Sequence, residues 1–537
     1  MRPRTPRVLV LSLLAAVLAL ASLSVPAGAA DPDPTTPATD DATEVAKEAL
    51  AEVQDLFEGP ETPGADAEQD LTIALRDLAL LKDDLPAAEQ RTAERLLARP
   101  TDGGSDQFGD GYTTAEAPPR CSAVVCVHYV TTTGDRVPTT DNSGNGVPDY
   151  VDFALQTMTD VHNKYVAAGY RAPKSDLEAD NHGPDAKPDV YLADIGTDGL
   201  YGYCATDDDI PANGPQDTWG YCVLDNDYSP AEFGTRNTPK QNLQVTAAHE
   251  YFHAVQFGYD ISEDGWVMEA TATWAEDELY DGVNDNVQYL RYGPMRLPHK
   301  SLDQFFQLYH YGAWIFFRYL TEMFPASQAG MPTLVRELWR RLDDAPGGIG
   351  NYSLQGVKRV LQKRHLSLPE AFARFSAANR MPGRSYDEGK ASRYPTAPLA
   401  RSSKLSQGAR NTSLRLWLDH LAAGTVRYTP AASLVSSAWR VRLVLDLADR
   451  WKGTGAVVTL QPRTGAPRTR WIQLDKDGDA RPTYNFSTKN VKYVEVTMVN
   501  ASDDFRCNQG TRFSCEGKPK YDNSSQRISA KLFKTAS

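Results

Sequence analysis

Cysteine and histidine are scarce in this sequence, with six Cys and nine His among 537 residues. The cysteines form no C-x-x-C pair, which argues against a cysteine-rich zinc site. A G-x-S-x-G motif and a P-loop are also missing, so nothing points to a serine esterase or a P-loop enzyme. After the first 30 residues no apolar run reaches the ~20 residues of a membrane-spanning helix. We therefore expect a mature protein without a membrane span.

Basic residues are outnumbered, since 56 Lys+Arg stand against 70 Asp+Glu and the formal net charge is −14. Such an acidic chain is a poor candidate for general nucleic-acid binding, so we expect no nucleic-acid partner. The charge is uneven: residues 31–100 carry −12, residues 101–399 carry −17 and residues 400–537 carry +12. This distribution predicts separate regions that meet near residues 100 and 400.

The N-terminus has the features of a secretory signal. Arg2, Arg4 and Arg7 precede an uncharged apolar run over 8–21, and small residues at 27–29 offer a cleavage site. A membrane anchor is the alternative, but the run is shorter than a spanning helix needs. We predict that residues 1–29 are a cleaved signal peptide and that the protein is secreted into the extracellular space.

Export is consistent with the six cysteines, which lie in the sequence as three pairs of close neighbours. Local pairing is the simplest of the pairings that six cysteines allow, and it gives three small loops. The predicted bridges are Cys121–Cys126, Cys204–Cys222 and Cys507–Cys515.

Three regions follow the signal peptide. Residues 30–119 are acidic, and apolar residues at helical spacing predict helices between two linkers. This region is either a pro-segment with an inhibitory role or a small permanent helical subdomain. Residues 120–400 alternate strand-like and helix-like runs, which indicates an α/β or α+β domain. Residues 401–537 hold seven or eight short alternating runs, which indicate a β-sandwich.

The motif that carries chemistry is H-E-x-x-H at 249–253, inside a helix predicted over 239–257. His249 and His253 then project from one helix face, one turn apart, and can bind a single Zn²⁺ together. Glu250 can take a proton from the attacking water and return it to the leaving amine. The alternative is a helix with two packed histidines.

A catalytic zinc site needs a third protein ligand. Gln256 and Tyr259 stand where a metzincin has glycine and its third histidine, so that branch is excluded. The stretch W-V-M-E-A-T-A at 266–272 resembles the W-x-x-E-x-x-A helix of gluzincins, and this resemblance implies Glu269 as the third ligand. Four nearby acidic residues are alternatives for the third ligand. Three residues could instead orient a ligand histidine by a hydrogen bond to its other ring nitrogen. The competitors are Glu263, Asp264, Glu276 and Asp277, and the orienting candidates are Thr273, Glu276 and Asp277.

An aromatic segment at 308–320 resembles the glycine-containing helix of peptidase-MA-like proteins. There a Tyr or His near the helix start donates a hydrogen bond to the tetrahedral oxyanion. The resemblance implies Tyr311 for this role, with His310 and Tyr309 behind it. Aromatic packing under the site is the alternative for each of them.

The stretch D-N-S-G-N-G-V-P-D-Y-V-D at 141–152 fits an EF-hand-like calcium loop. Glycine stands at position 6, where the loop turns, and oxygen ligands fall at the expected positions. The alternative is a plain Asn/Gly turn. Acidic runs at 207–209 and 225–227 are weaker candidates that also suit solvated loops. The predicted calcium ligands are Asp141, Ser143, Asn145, Val147 through its carbonyl, Asp149 and Asp152.

Taken together, these motifs resemble a group of secreted bacterial zinc metallopeptidases of gluzincin or peptidase-MA type. The resemblance covers about residues 125–380 and implies a zincin-like α+β domain. It also implies one catalytic Zn²⁺ and a protein or peptide substrate. Calcium would have a structural role.

We therefore expect a secreted zinc endopeptidase that acts through Glu250. The alternative is a catalytically inactive, calcium-stabilised surface-binding or adhesion protein on a zincin fold. The basic C-terminal region either binds an anionic surface or cell-wall polymer or pairs with the acidic central domain. We expect a monomer.

Overall fold

The computed structural model of the chain describes residues 38–57, 71–101, 111–179 and 182–535. The predicted signal peptide lies outside the described residues, as do parts of both predicted linkers. Helices open the described chain, a mixed α/β region follows, and strands dominate after residue 400. The expected sequence of a helical, an α/β and a β-rich region is thus present.

The acidic N-terminal region forms three helices. Their apolar stripes bury Ala46, Leu50 and Val53 of the first helix and Leu75 and Leu78 of the second. These side chains share a core with one face of the central sheet. The N-terminal helices are therefore packed against the central region. They are α1 (Ala38–Phe57), α2 (Leu71–Leu81) and α3 (Ala87–Leu96).

A five-stranded sheet is the centre of the α/β region, with strand order β1-β2-β3-β5-β4. Strands β2, β3 and β5 are parallel, and β1 and β4 are antiparallel edge strands. Alternate residues face opposite sides, so Tyr191 faces the N-terminal helices while Leu192 faces the helices of the other layer. The strands are β1 (Arg120–Cys121), β2 (Cys126–His128), β3 (Asp189–Ala193), β4 (Gly202–Ala205) and β5 (Tyr221–Asp225).

The other layer and the rest of the region are helical apart from one small hairpin. The aromatic segment at 308–320, expected as one helix, lies in two, and the Ala313 N–H at their junction is shared between the carbonyls of Tyr309 and His310 at 3.1 Å each. Such three-centre bonds are common at helix ends. The helices are α4 (Asp149–Ala167), α5 (Pro230–Phe233), α6 (Pro239–Phe257), α7 (Gly265–Tyr280), α8 (Tyr309–Gly312), α9 (Trp314–Met323), α10 (Thr333–Leu342), α11 (Leu354–Gln362), α12 (Leu368–Ala378) and α13 (Pro382–Ser385), and the hairpin is β6 (Ser327–Gln328) with β7 (Met331–Pro332).

The β-rich C-terminal region consists of two larger sheets and a two-stranded ribbon. The larger sheets have the orders β13-β12-β16-β10-β8 and β14-β11-β19-β9, with β15 paired to β11, and they enclose one apolar core. More strands are present than the sequence predicts, since several are only two or three residues long. The strands are β8 (Arg401–Leu405), β9 (Asn411–Leu418), β10 (Ala422–Pro430), β11 (Trp439–Asp446), β12 (Thr454–Pro462), β13 (Arg468–Trp471), β14 (Asp479–Ala480), β15 (Thr483–Asn485), β16 (Val491–Asn500), β17 (Phe505–Arg506), β18 (Lys518–Pro519) and β19 (Ser524–Lys534).

The central and C-terminal regions touch, but not through the charge pairing that their net charges suggest. Helix α12 packs on β12 and β16, and the shared core includes Val457 and Val499. Three ion pairs join the two regions within the described residues, and in two of them the central region supplies the cation. Apolar packing is therefore the main contact. The pairs are Lys358–Asp503 (2.6 Å), Arg380–Glu495 (3.1 Å) and Asp303–His420 (2.8 Å).

The three disulfides are those predicted from sequence proximity: Cys121–Cys126, Cys204–Cys222 and Cys507–Cys515. Such bridges are compatible with an extracytoplasmic protein. Among the described helices, none combines the length and apolarity that a membrane crossing requires.

Candidate metal centre

Helix α6 carries the H-E-x-x-H motif through the interior of the domain. Thr238 caps the helix, because its hydroxyl accepts from the Gln241 N–H (3.3 Å) and the Gln241 side chain accepts from the Thr238 N–H (2.9 Å). Every residue of α6 from 245 to 257 is buried. The helix lies between the sheet and α7, so it needs no polar face.

The structure brings the three predicted zinc ligands together. His249 Nε2 lies 3.1 Å from one Glu269 carboxylate oxygen, and His253 Nε2 lies 3.1 Å from the other. One ligand atom from each of the three residues lies within 4.8 Å of the others. All three side chains are buried, with His253 and Glu269 fully excluded from solvent.

Glu269 reaches the histidines because residues 258–264 reverse the chain between α6 and α7. The two helices then run antiparallel in contact. Glu269 therefore faces His253 and His249, whereas Glu276, two turns further along α7, meets only His249. This short connection places the third ligand close in sequence to the histidines.

Side chains behind the histidines fix the orientation of both imidazoles. His249 Nδ1 bonds Glu276 Oε1 at 2.6 Å, and His253 Nδ1 bonds Gln256 Oε1 at 2.7 Å. Gln256 in turn donates to the Met268 carbonyl at 3.0 Å. Both Nε2 atoms are left facing Glu269, which is how metal-ligating histidines are commonly held. Sequence reasoning named Glu276 among the orienting candidates but missed Gln256, whose signal is its position one turn after His253.

The remaining candidates for ligand or orienting roles lie elsewhere. Asp277 pairs with Arg318 at 2.8 Å. Glu263 and Asp264 belong to a second acidic cluster at the start of α7. The buried Thr273 hydroxyl has no hydrogen-bond partner among the described residues.

The polar atoms of this site fit a divalent cation. His253 Nε2 and Glu269 Oε1 are buried and make no hydrogen bond in the described part of the chain, although they lie 3.1 Å apart. Burial alone would lower the pKa of His249, but hydrogen bonds to Glu269 and Glu276 raise this pKa well above its usual range. The pocket thus favours positive charge where these atoms converge. Two imidazoles and one carboxylate are a recognised zinc ligand set.

Glu250, the predicted general base, is buried beside the ligands. Burial raises the pKa of its carboxyl group. Its Oε2 accepts a hydrogen bond from the Thr72 hydroxyl of α2 at 3.1 Å. The same Thr72 oxygen accepts from the Cys204 N–H of edge strand β4 at 3.0 Å. Thr72 therefore links the N-terminal helices, the edge strand and Glu250, and no sequence signal pointed to it.

Strand β4 approaches Glu250 closely because residue 202 is glycine. A Cβ at Gly202 would lie 2.9 Å from Glu250 Cγ and 2.7 Å from Thr246 Cγ2. Both distances are shorter than side chains tolerate. A larger residue here would therefore push the edge strand away from Glu250.

Of the three aromatic candidates for oxyanion stabilisation, only Tyr311 lines the cavity at the metal centre. Its ring centroid lies 5.9 Å from that of His249, and it stacks on Tyr289 at 5.1 Å. Tyr309 donates its hydroxyl to the Lys300 carbonyl (3.2 Å), and His310 stacks on Phe305 (4.1 Å). The cavity is lined by Gly199, Leu200, Tyr201, Gly202, Val245, Thr246, His249, Glu250, Glu276, Asp285, Tyr289 and Tyr311.

The predicted calcium loop is exposed over residues 141–146, buries Val147, and is held by its own hydrogen bonds. Asp141 accepts from the N–H groups of Gly144 (2.7 Å) and Gly146 (2.8 Å), while Ser143 Oγ donates to Asp141 (3.0 Å). These contacts, the Gly146 N–H foremost, lower the pKa of Asp141.

The other predicted calcium ligands are engaged in the same way. Asn145 donates to Asp152 (2.7 Å) and accepts from the Val147 N–H (2.8 Å), and Asn142 donates to Asp149 (2.6 Å). The three loop carboxylates do not form a cluster within 4.8 Å in the described residues. Calcium binding stays a prediction.

The two weaker acidic candidates differ. Asp225 and Asp227 form a cluster with Glu232, and burial raises the pKa of Asp225 to about 7. Asp207 and Asp209 instead pair separately with Arg99 (2.8 Å) and Lys82 (2.6 Å).

No family model and no curated protein matches the sequence. Solved structures with local likeness include the pre-peptidase C-terminal domain of collagenase from Bacillus anthracis (9% identity, 25% of this chain, 97% of that chain, TM-score 0.15). The periplasmic lysozyme inhibitor PliG of Aeromonas hydrophila is 14% identical. The match covers 25% of this chain and 96% of that chain, with a TM-score of 0.15. The surface-associated copper-binding protein CorA of Methylomicrobium album BG8 is 8% identical. The match covers 25% of this chain and 100% of that chain, with a TM-score of 0.15. At these TM-scores the likenesses assign neither fold nor function.

Proposed function

We propose that this chain is an exported zinc endopeptidase that hydrolyses peptide bonds in protein or peptide substrates. The observation that carries the proposal is the convergence of His249, His253 and Glu269, with both imidazoles held from behind and Glu250 alongside. A structural zinc site would have four protein ligands, whereas a catalytic one has three and an adjacent base.

Zinc held by these residues would supply a Lewis acid and would ease deprotonation of water. Glu250 receives the proton of the attacking water and delivers it to the leaving amine. Burial suits the carboxyl group to both steps, because a raised pKa lies closer to neutral pH. Tyr311 lines the same cavity and donates a hydrogen bond to the developing oxyanion.

The peptide backbone of the substrate would bind along β4. This strand lies at the edge of the sheet and passes Glu250 at Gly202. An extended peptide can pair with the free side of an edge strand through main-chain hydrogen bonds. The Cys204–Cys222 bridge ties β4 to β5 and steadies this surface.

The proposal includes a zincin-like fold for residues 120–400 and a calcium ion in the Asp141–Asp152 loop as a structural element. The C-terminal β region, a β-sandwich in this proposal, would bind substrate or an anionic surface polymer. The net charge of +12 over residues 400–537 supports such a surface role. We expect the protein to act as a monomer.

The N-terminal helices would act as an inhibitory pro-segment. Thr72 occupies both the Glu250 carboxylate and the Cys204 N–H, which an incoming substrate needs for catalysis and for backbone pairing. The same helices also cover an apolar face of the sheet. Activation would therefore require displacement of α2 from the cleft.

Digestion of a peptide library by the purified secreted protein, before and after limited proteolysis of the inhibitory region 30–119 and with and without a chelator, tests the proposal. We expect cleavage that the chelator stops and added zinc restores. Glu250→Gln should keep zinc and lose cleavage by at least about 10³-fold, because the proton shuttle is gone. The exposed change Glu178→Gln is the matched control. Full activity in Glu250→Gln would refute the mechanism, and zinc without any cleavage would favour the surface-binding alternative.

A further inference from the structure

One face of the C-terminal β region is basic, and the proposed mechanism does not use it. In the sheet β14-β11-β19-β9 the inward side chains build the apolar core, and every second residue points outward. The outward positions, which we call the basic face, hold more cations than acidic residues. The cations are Arg415 of β9, Arg440 and Arg442 of β11, and Arg527 and Lys531 of β19, and the acidic residues are Asp446 of β11 and Asp479 of β14.

The basic face is turned away from the α/β region. Helix α12 packs on β12 and β16, which belong to the other large sheet, and the two sheets enclose their core between them. The outer surface of β11, β19 and β9 is therefore on the far side of the β region from α12. Most of its cations are exposed, so a partner from outside the chain can reach them: Arg415, Arg442, Arg527 and Lys531.

Like charges stand opposite each other on the basic face. Arg527 is the register partner of Arg415, and Lys531 is the register partner of Arg442. Like charges directly opposite each other destabilise a sheet. Among the cations of this face, Arg527 alone has an acidic partner in the described part of the chain, Asp446 at 3.7 Å. The face therefore carries uncompensated positive charge, which a bound anion would neutralise.

Exposed tryptophans lie at one end of the basic face. Trp417 of β9 is 58% exposed, points outward two residues after Arg415 and is the register partner of Ser525. Trp451 is 65% exposed, and its ring centroid lies 5.2 Å from that of Tyr521. Arg415, Ser525 and Tyr521 line one cavity, so both indoles adjoin it. The cavity adds charged groups of both signs: Lys452 and Lys520, and Asp446, Asp449 and Asp522.

We propose that the basic face binds a linear polysaccharide that carries carboxylate groups, with Trp417 packed on a sugar ring. A guanidinium matches a carboxylate through two parallel hydrogen bonds, and the C–H groups of a sugar ring form an apolar surface that fits an indole. From Lys531 to Ser525 strand β19 spans about 20 Å, at ~3.4 Å per residue, so an extended polymer meets several of these side chains. The inference rests on the surface role proposed for the C-terminal region and does not depend on the peptidase activity.

The charge of the rest of the chain favours a polysaccharide over a nucleic acid. Residues 101–399 carry −17. Double-stranded DNA has one negative charge per ~1.7 Å of its axis, so the acidic central region would repel it strongly. A polysaccharide with one carboxylate in every second sugar has a much lower charge density and meets less repulsion.

Binding of the full chain to immobilised hyaluronate, a linear polysaccharide with one carboxylate per disaccharide, tests the proposal. Neutral dextran and double-stranded DNA are the comparison polymers. We expect binding to hyaluronate and none to dextran. Because exposed charges are screened by salt, hyaluronate binding should weaken as the ionic strength rises.

Variants of the basic face should separate charge from packing. Arg415→Gln/Arg527→Gln should bind hyaluronate at least about tenfold more weakly. Its unfolding temperature should not fall, because the change removes a like-charged pair. Arg463→Gln/Arg468→Gln, which changes two exposed arginines of the other sheet, is the matched control and should bind like the wild type. Trp417→Ala should weaken binding about fivefold and leave its salt dependence unchanged, since it removes packing and no charge.

Three results would overturn the basic face as this site. They are equal hyaluronate binding by the two double variants, no hyaluronate binding by the wild type, and tighter binding to DNA than to hyaluronate. Cleavage of peptides by a protein that does not bind hyaluronate would leave the peptidase proposal standing. Hyaluronate binding that depends on Arg415 and Arg527, without cleavage of any peptide, would refute the peptidase proposal and support the basic face.

Discussion

The two metal sites that the motifs predict differ in what surrounds their donor atoms. The His249–His253–Glu269 centre is buried and draws on two helices, and its His253 Nε2 and Glu269 Oε1 atoms have no hydrogen bond within the part of the chain that the structure describes. The Asp141–Asp152 loop is exposed and local, and its carboxylates already accept backbone and side-chain hydrogen bonds. Packing has thus organised the first site in advance, whereas the second must exchange its own hydrogen bonds for an ion. We expect tight zinc binding and weak calcium binding.

Loss of a zinc ligand should have the largest effect. His253→Ala and Glu269→Ala should each lower bound zinc from about one equivalent per chain to less than about 0.1, because two ligands do not hold the ion. Elemental analysis after gel filtration measures this, and the exposed change His299→Ala is the control. Retention of zinc by Glu269→Ala would contradict the third ligand.

Removal of the support behind His253 should have an intermediate effect. Gln256→Ala leaves the imidazole without its 2.7 Å hydrogen bond and should weaken zinc affinity by about 10–100-fold, while the protein still folds. Competition with a chromophoric chelator measures the affinity. Gln156→Ala on the exposed side of α4 is the matched variant, and equal affinities for the two proteins would show that Gln256 does not position the ligand.

Lowering the pH should release zinc from its site before calcium leaves the Asp141–Asp152 loop. Zinc needs neutral imidazoles, so it should leave at about pH 5–6 as protons compete for the histidines. Asp141 has a lowered pKa through the Gly146 N–H, so its carboxylate stays ionised until the pH falls below its ordinary pKa of about 3.9. Calcium should therefore remain until about pH 4. Stepwise dialysis with elemental analysis checks the order, and calcium release before zinc would contradict it.

Calcium should have the smallest effect on the fold. At ten times its Kd it would stabilise the protein by about 1.4 kcal/mol, a rise in Tm of about 2–4 °C. Asp141→Ala should abolish the rise without changing the zinc content. Thermal unfolding with calcium or magnesium measures it. The same rise in Tm in Asp141→Ala, or no rise in the wild type, would contradict calcium binding at this loop.

Local patterns predicted the elements that carry the site. The helix predicted over 239–257 is observed with those bounds: Thr238 caps it, Pro239 begins it and Gly258 follows its last residue, and such signals act within a few residues. The apolar spacing that predicted helices in residues 30–119 likewise corresponds to the buried face of α1, where Ala46, Leu50 and Val53 are buried.

Contacts between distant segments could not be predicted in this way. Thr72 meets Glu250 across 178 positions in the sequence, and Arg76 meets Glu263 across 187. Neither residue belongs to a motif, because their roles depend on how α2 packs against β4. Net charge was also a poor guide, since the regions joined at residue 400 meet mainly through apolar side chains and ion pairs of mixed polarity.

The central claim is that His249, His253 and Glu269 hold one zinc ion, and anomalous diffraction at the zinc edge tests it most directly. Crystals of the purified protein should give one strong peak per chain, about 2.0–2.1 Å from both Nε2 atoms and about 2.0–2.2 Å from a Glu269 oxygen. A map without a peak at this position, or with its zinc peak elsewhere in the molecule, would contradict the account.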